Sequence, residues 1–131
     1  MNNKLAILGA GISGIGAALL AKKMGFELFV SDRGVISKNN KDILTSHAID
    51  WEENKHTFEK IINANEVIKS PGINDKTDLI QKLKHENVPI ISEIEFAARY
   101  TTAKIIAITG SNGKSTTTLL IGHILQKAGL D

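Results

Sequence analysis

The sequence predicts an α/β protein: a parallel sheet of about five strands with helices on both faces, followed by a smaller strand–loop–helix unit. Short apolar segments rich in β-branched residues alternate with stretches of helical periodicity. Two of these segments run directly into glycine-rich turns, at Gly9–Gly14 and Thr109–Thr116. Strands that alternate with helices form mostly parallel sheets with right-handed crossovers, which fixes the fold class.

Composition excludes several classes of function. The 131 residues are 42% hydrophobic and 23% charged, as in ordinary globular proteins. A net charge of +2 is too small to indicate a nucleic acid or a membrane as partner. The chain has no cysteine, which excludes disulfides and thiolate chemistry. No apolar run approaches the ~20 residues of a membrane span, and the first residues lack the apolar core of a secretory signal, so we expect a cytoplasmic protein.

The first βαβ unit follows from an apolar run, a glycine turn and a helix. Lys4–Leu8 has the character of a buried parallel strand. The helix after it carries Ile12, Ile15 and other apolar residues at three- and four-residue spacing, and Gly25 is placed to close it. Phe26–Val30 then provides the second strand.

The middle of the chain has weaker patterns. Two polar helical stretches, around Lys38–Ser46 and Thr57–Asn63, flank a short strand near Ala48–Trp51. Glu66–Lys69 has the composition of another strand. It is stopped by Ser70-Pro71-Gly72, because proline and glycine both disfavour a continuing strand.

A helix and a short strand follow, at Lys76–Glu86 and Pro89–Ile91. Ser92 and Glu95 have the spacing of a capping box, in which a serine and an acidic residue satisfy the first N–H groups of a helix. We therefore predict a helix from Ser92 to about Tyr100.

The second glycine loop has the composition of a phosphate-binding loop. Ala103–Ile108 is predicted to be a strand, and a helix ended by Gly129 follows the loop. In such loops backbone N–H groups face an anion, a lysine such as Lys114 reaches the terminal phosphates, and a hydroxyl such as Ser115 binds Mg²⁺. The form here is the shorter Gly-x-x-Gly-Lys-Ser, since Ile108 stands where the commonest pattern has a glycine. An ordinary βα turn is the alternative.

The first loop, Gly9-x-Gly11-x-x-Gly14, matches a diphosphate-binding fingerprint between a strand and a helix. Gly9 would make the tight turn, Gly11 would admit a diphosphate, and Gly14 would let helix and strand pack closely. Asp32 follows at roughly the interval expected of an acid that accepts hydrogen bonds from a ligand. A glycine turn without a ligand, and a site for NAD or FAD, both fit this loop taken alone.

Together these motifs resemble the Mur ligases, the ATP-dependent amino-acid-adding enzymes of bacterial peptidoglycan synthesis, and most of all the members that add D-glutamate. The resemblance covers the whole chain and is carried by Gly9–Gly14, Ser70–Ile73, Glu93–Glu95 and Ile108–Thr116. It implies a Rossmann-like UDP-binding domain at residues 1–92. Residues 93–131 would be a linker helix and the first strand–loop–helix of an ATPase domain, whose remainder would lie beyond this chain.

The resemblance also implies ligands and the residues that hold them. UDP-N-acetylmuramoyl-L-alanine would bind through Gly11, Ile12, Ser13, Gly14, Asp32, Arg33 and Gly72. Asp32 would contact the uracil, and the Arg33-Gly34 pair replaces the Thr-Arg that can follow this aspartate in relatives. ATP would bind through Gly110, Ser111, Asn112, Gly113, Lys114, Ser115 and Thr116, with Ser115 as a Mg²⁺ ligand. In the family reaction an acyl-phosphate forms from ATP and is attacked by the amine of D-glutamate.

We expect the 131 residues to bind the UDP part of the substrate and to be catalytically inactive alone. Two alternatives belong to other classes: an NAD(H)-binding regulatory module and a self-contained P-loop ATPase. The four histidines show no ligand spacing with one another, so packing or surface roles are expected for them rather than metal binding. For Lys69, at a strand end, we favour a structural role over a phosphate contact.

Overall fold

The computed structural model describes residues 3–130, which form two units divided between Thr101 and Thr102. The first unit contains five strands, β1 (Lys4–Leu8), β2 (Glu27–Ser31), β3 (Asp50–Glu52), β4 (Glu66–Lys69) and β5 (Ile90–Ser92). Its helices are α1 (Ile12–Lys23), α2 (Lys38–Ser46), α3 (Phe58–Ile61), α4 (Asp78–His85) and α5 (Glu93–Ala98). The second unit contains α6 (Lys114–Lys127). Within residues 3–130, no helix has the length and apolar character needed to cross a membrane.

The five strands form one parallel sheet in the order β3-β2-β1-β4-β5, which confirms the predicted fold class for the first unit. Strand β1 is central, and its Ala6 lies opposite Phe29 of β2 and Val67 of β4. The chain proceeds outward from β1 to β3 and then returns to place β4 on the other side of β1. This reversal creates a crevice beyond the carboxyl ends of β1 and β4, where open α/β sheets bind ligands.

Helices cover both faces of the sheet. On one face Ile7 packs with Ile15 of α1, Leu44 of α2 and Phe96 of α5. On the other face Leu8 and its neighbours pack with Ile61 of α3 and with Ile80 and Leu83 of α4. Because β1 is buried on both sides, its apolar residues run without alternation, as in other central parallel strands.

Helix α5 is part of the core of the first unit. Phe96 is fully buried, with ring centroids 5.8 Å from Phe26 and 5.1 Å from Tyr100. The predicted cap is present, since the Ser92 hydroxyl accepts a hydrogen bond from the Glu95 N–H at 3.1 Å. The sequence-based division at residue 92 placed this helix in the second segment, whereas the structural division follows Thr101.

Two sequence predictions are wrong. Ile12, expected on the apolar face of α1, is 94% exposed, because it begins the helix at the loop and lies outside the sheet contact.

The segment Ala103–Ile108 does not form the predicted strand. A strand needs a hydrogen-bonded neighbour, and within residues 3–130 the paired strands are β1–β5 alone. Ile105 and Ile106 are accordingly 62% and 57% exposed. The predicted helix after this segment does form as α6, and Gly129 follows it with a φ of +74°.

Gly14 provides a test of what this fold requires. A Cβ atom on Gly14 would lie 1.9 Å from the carbonyl oxygen of Gly9, which is backbone and cannot rotate away. We expect Gly14→Ala to reduce the free energy of unfolding by more than about 3 kcal/mol, or to prevent folding.

The matched control is Gly16→Ala, in the same helix, where a Cβ would meet no atom within 4 Å. That change should stabilise the protein by about 0.5–1 kcal/mol, because alanine has the higher helix propensity. Urea denaturation followed by circular dichroism measures both variants. Equal stabilities for the two would contradict the close contact between Gly14 and Gly9.

Candidate nucleotide-binding site

The loop between β1 and α1 has a fixed course. Gly9 has a φ of +97° and donates its N–H to the Ser31 carbonyl at 2.9 Å. A Cβ on Gly9 would lie 2.6 Å from the Ser70 hydroxyl oxygen, so both its conformation and its surroundings require glycine. The loop is thereby held between the ends of β2 and β4.

Helix α1 presents free backbone donors at its N-terminus. Gly11 is the N-cap residue and has no side chain that could satisfy them. Within residues 3–130 the N–H groups of Ile12, Ser13 and Gly14 donate to no protein acceptor, and Gly11, Ile12 and Ser13 are exposed. A Cβ on Gly11 would meet nothing within 4 Å, so packing inside the protein does not require glycine there. These donors and the helix dipole together suit an anion.

Asp32 ties two loops together. Its Oδ2 accepts the N–H of Ala10 at 2.6 Å, and its Oδ1 accepts the N–H of Gly34 at 2.7 Å. The carboxylate therefore fixes the β1–α1 loop to the β2–α2 loop, a structural role that the sequence analysis did not foresee. Each oxygen keeps acceptor capacity for a ligand, because a carboxylate oxygen has two lone-pair sites.

A cavity of about 810 Å³ lies at the carboxyl edge of the sheet. It is lined by Gly9, Asp32, Arg33, Asn54, Lys55, His56, Gly72, Ile73, Asn74, Lys76, Thr77, Asp78 and Leu79. The structure thus brings Asp32, Arg33 and Gly72 to one cavity, while Gly11–Gly14 are not among its lining residues. A second cavity of about 550 Å³ includes Lys4, the first residue of β1, at the amino edge of the sheet, and neither glycine loop lines it.

Lys69 organises the loop that closes one side of the larger cavity. Its ammonium donates to the Ile73 carbonyl at 2.9 Å and pairs with Asp75 at 3.1 Å. The hydrogen bond and charge of Lys69 lower the pKa of Asp75. Lys69 therefore has the structural role that we favoured over a phosphate contact.

A buried polar network lies behind the cavity. Glu52 is 6% exposed, and its Oε1 accepts hydrogen bonds from the Ser31 hydroxyl at 2.8 Å and from the Thr57 N–H at 2.6 Å. Its Oε2 accepts from the Thr57 hydroxyl at 2.6 Å. Burial raises the pKa of Glu52, but the hydrogen bonds from Thr57 and Ser31 outweigh burial, and the net pKa is lowered.

His56 connects this network to the cavity, because its Nδ1 lies 2.7 Å from the Ser31 hydroxyl oxygen. Burial lowers the pKa of His56 most strongly, and Arg33 lowers it further, against the opposing charges of Asp32 and Glu52. The sequence analysis grouped His56 with the other histidines. Its position just after the carboxyl end of β3 was the available signal that it could reach the site.

The second glycine loop caps α6. Gly110 and Gly113 have φ values of +150° and +77°, and Gly113 is the N-cap residue of α6. The Lys114 ammonium bonds to the Gly110 carbonyl at 2.5 Å and lies 3.5 Å from that of Ser111. Within residues 3–130, the N–H groups of the first turn, from Lys114 to Thr116, have no protein acceptor.

Backbone N–H groups at a helix N-terminus are donors of the kind that bind anions. Ser115 offers a hydroxyl for Mg²⁺, and phosphate oxygens would have to supply further ligands. In the described part of the chain, residues 3–130, no group of three or more His, Cys, Asp or Glu side chains could hold a metal ion.

Comparison with known proteins gives consistent results. Residues 4–79 match the family described as MurD N-terminal domain. The chain is 62% identical over 128 residues to a UDP-N-acetylmuramoylalanine–D-glutamate ligase of Bacteroides thetaiotaomicron, covering 98% of the chain and 29% of that protein. It is 49% identical over 131 residues to the enzyme of the same name from Christiangramia forsetii, again covering 29% of it. The chain therefore spans less than a third of the length of these relatives.

Among solved structures, the chain is similar to a murein peptide ligase from Psychrobacter arcticus. The TM-score is 0.68 at 24% identity, over 96% of this chain and 27% of that one. At this identity the likeness supports the fold of the chain.

The network around Glu52 predicts a specific acid sensitivity. Because the folded-state pKa of Glu52 is lowered from 4.5, the unfolded state binds more protons below that pH. The stability that Glu52 contributes is complete above about pH 4.5 and is lost as pH falls toward the folded-state pKa.

Glu52→Gln should cost about 1–2 kcal/mol at pH 7, because neutral hydrogen bonds replace charge-assisted ones. The stability difference between wild type and variant should shrink as pH falls below 4.5. Urea denaturation at a series of pH values measures it, with Glu59→Gln, an exposed carboxylate on α3, as control. A difference that stays constant with pH would refute the assignment.

Proposed function

The chain belongs to the MurD N-terminal domain family, and on this premise we propose that it binds the UDP part of UDP-N-acetylmuramoyl-L-alanine. The observation that carries the proposal is the meeting of Asp32, Arg33 and Gly72 around one cavity beside the glycine loop of α1. The relatives that resemble it over its whole length carry the name UDP-N-acetylmuramoylalanine–D-glutamate ligase.

The diphosphate is assigned to the N-terminus of α1. The N–H groups of Ile12, Ser13 and Gly14 have no protein acceptor in residues 3–130, and a Cβ on Gly11 would meet no atom within 4 Å. Backbone donors held by a packed helix lose little further conformational entropy when an anion binds. The role of these four residues in binding the diphosphate is supported by this geometry.

The uridine is assigned to the cavity. Arg33 is exposed at its rim and supplies guanidinium donors that match the carbonyl oxygens of uracil. Gly72 has no atoms within 4 Å of a Cβ position, which leaves room for a ring to approach the backbone. Asp32 fixes the loop that carries Arg33 and adds acceptor capacity.

For the whole protein we propose the ATP-dependent addition of D-glutamate to UDP-N-acetylmuramoyl-L-alanine. In this proposal the first unit, through Thr101, is the UDP-binding domain with α5 as its last helix, and the residues from Thr102 onward are the first part of an ATPase domain. Residues Gly110–Thr116 would hold the ATP phosphates, with Ser115 as a ligand of Mg²⁺. Bound ATP and Mg²⁺ would supply the activated phosphoryl group. Lys114 would first have to release the Gly110 carbonyl.

Calorimetric titration tests the proposed ligand. We expect the chain to bind UDP, and to bind NADH weakly or not at all. ATP should bind weakly at the second loop, and this binding should disappear in Lys114→Ala while UDP binding is unchanged. Tight NADH binding without a response to UDP would instead support a dinucleotide-binding regulatory module.

Asp32→Ala tests the cavity itself. The change removes the acceptor for Ala10 and Gly34 as well as any contact to the ligand, so UDP affinity should fall by about 1–3 kcal/mol. The sheet should remain folded, because the affected hydrogen bonds lie in loops. Asp42→Ala, an exposed aspartate on α2, is the control. Unchanged UDP affinity in a folded Asp32→Ala variant would exclude Asp32 from the site.

A further inference from the structure

His56 lines the cavity but belongs to neither glycine loop. Its Nδ1 lies 2.7 Å from the hydroxyl of Ser31, a side chain with no solvent exposure. The same imidazole lines the cavity of about 810 Å³. One edge of the ring therefore faces the protein interior. Nε2, separated from Nδ1 by one ring carbon, is the ring nitrogen left for the cavity.

The hydrogen bonds around Ser31 determine which nitrogen of His56 carries the proton. Glu52 is ionised and can only accept, so the Ser31 hydroxyl donates to its Oε1 at 2.8 Å. The Lys55 carbonyl, at 3.3 Å, is the more distant acceptor for that hydrogen. With its one hydrogen directed to the carboxylate, Ser31 can only accept from His56. His56 is thus fixed with hydrogen on Nδ1 and a lone pair on Nε2.

This lone pair is available to a ligand. Within residues 3–130, Nε2 of His56 has no hydrogen-bond partner. The charged groups that act on the ring are Asp32 and Arg33 after β2 and Glu52 on β3, while Lys76 and Asp78 line the cavity from the β4–α4 side. Burial and Arg33 lower the pKa of His56, so the ring is neutral at pH 7.

We propose that His56 is a specificity-determining residue of this cavity, whose Nε2 accepts the imide N3–H of a uracil ring. The proposal rests on the proposed UDP-binding function and names the atom that would recognise the base. The imide edge of uracil presents one donor between two carbonyl acceptors, and its donor needs a fixed acceptor in the site. Asp32 keeps spare acceptor capacity, but each of its oxygens already receives a backbone N–H group, so a ligand donor would share that oxygen. Nε2 of His56 is held in place through Ser31 and Glu52 and has no competing donor.

The proposal explains how the site would reject other pyrimidines. In cytosine N3 carries a lone pair, which would face the lone pair of Nε2. A methyl group on N3 of uracil removes the donor and adds bulk at the same point. UDP and 3-methyl-UDP therefore differ only at the atom that His56 is proposed to contact.

The experiment is calorimetric titration of the chain with UDP and with 3-methyl-UDP. Wild type should bind UDP about tenfold or more tightly than 3-methyl-UDP, the effect of one buried hydrogen bond. In His56→Ala, UDP affinity should fall by about tenfold and the preference between the two nucleotides should disappear. His85→Ala, whose side chain is 87% exposed, is the matched control and should keep the wild-type preference.

The outcomes separate the two proposals. If wild type binds neither nucleotide, the proposed UDP-binding function fails. If UDP binds and His56→Ala keeps the wild-type preference, only the role of His56 is overturned.

Nitrogen-15 NMR of the wild-type imidazole gives a second test that needs no variant. We expect hydrogen on Nδ1, and an Nε2 resonance that moves on addition of UDP but not of 3-methyl-UDP. Hydrogen on Nε2 in the free protein, or the same movement with both nucleotides, would overturn the role of His56.

Discussion

The first unit depends on the contact between the backbone of α1 and the turn that precedes it. Only the absence of a side chain at Gly14 allows the helix to approach the Gly9 carbonyl so closely. Ala17, Ala18 and Ala21 continue this close approach along the sheet, and all three are buried. This packing holds the N-terminus of α1 at the carboxyl edge of β1. The packing of the helix orients its free N–H groups. Donors that are already oriented bind an anion at less entropic cost.

Two carboxylates, those of Asp32 and Glu52, connect the loops at the carboxyl edge of the sheet. Asp32 joins two loops through backbone N–H groups, and Glu52 joins β2, β3 and the start of α3. A buried carboxylate is costly unless it is fully hydrogen-bonded, and Glu52 meets this condition with three donors. The loops around the cavity are therefore positioned by polar contacts, while the helices behind them are held by apolar packing. A change in the polar network would alter the cavity and lower stability, as expected for Glu52→Gln, without removing an apolar contact of the core.

Sequence patterns predicted the elements that depend on local chemistry. The bounds of β1, α2 and β4 agree with the prediction, because each is limited by glycine, proline or capping residues adjacent in the chain. The strand predicted at Ala103–Ile108 does not form, because a strand is stabilised by a neighbouring strand and not by its own composition. The position of His56 beside Ser31 arises from the pairing of β2 with β3, and the spacing of histidines along the sequence carries no sign of that pairing.

The two glycine loops show how similar motifs acquire different properties from their surroundings. Both begin a helix with unsatisfied backbone N–H groups, and both contain glycines at positive φ. Helix α1 is packed against a sheet through buried alanines, whereas no residue of α6 is buried in the described chain. At the second loop the Lys114 ammonium also occupies carbonyls of the loop itself, so a phosphate must compete with an internal contact. A motif specifies which groups can bind an anion, but the packing of its helix determines how well those groups are oriented. Within residues 3–130, the donors of the first loop are therefore the better preorganised of the two sets.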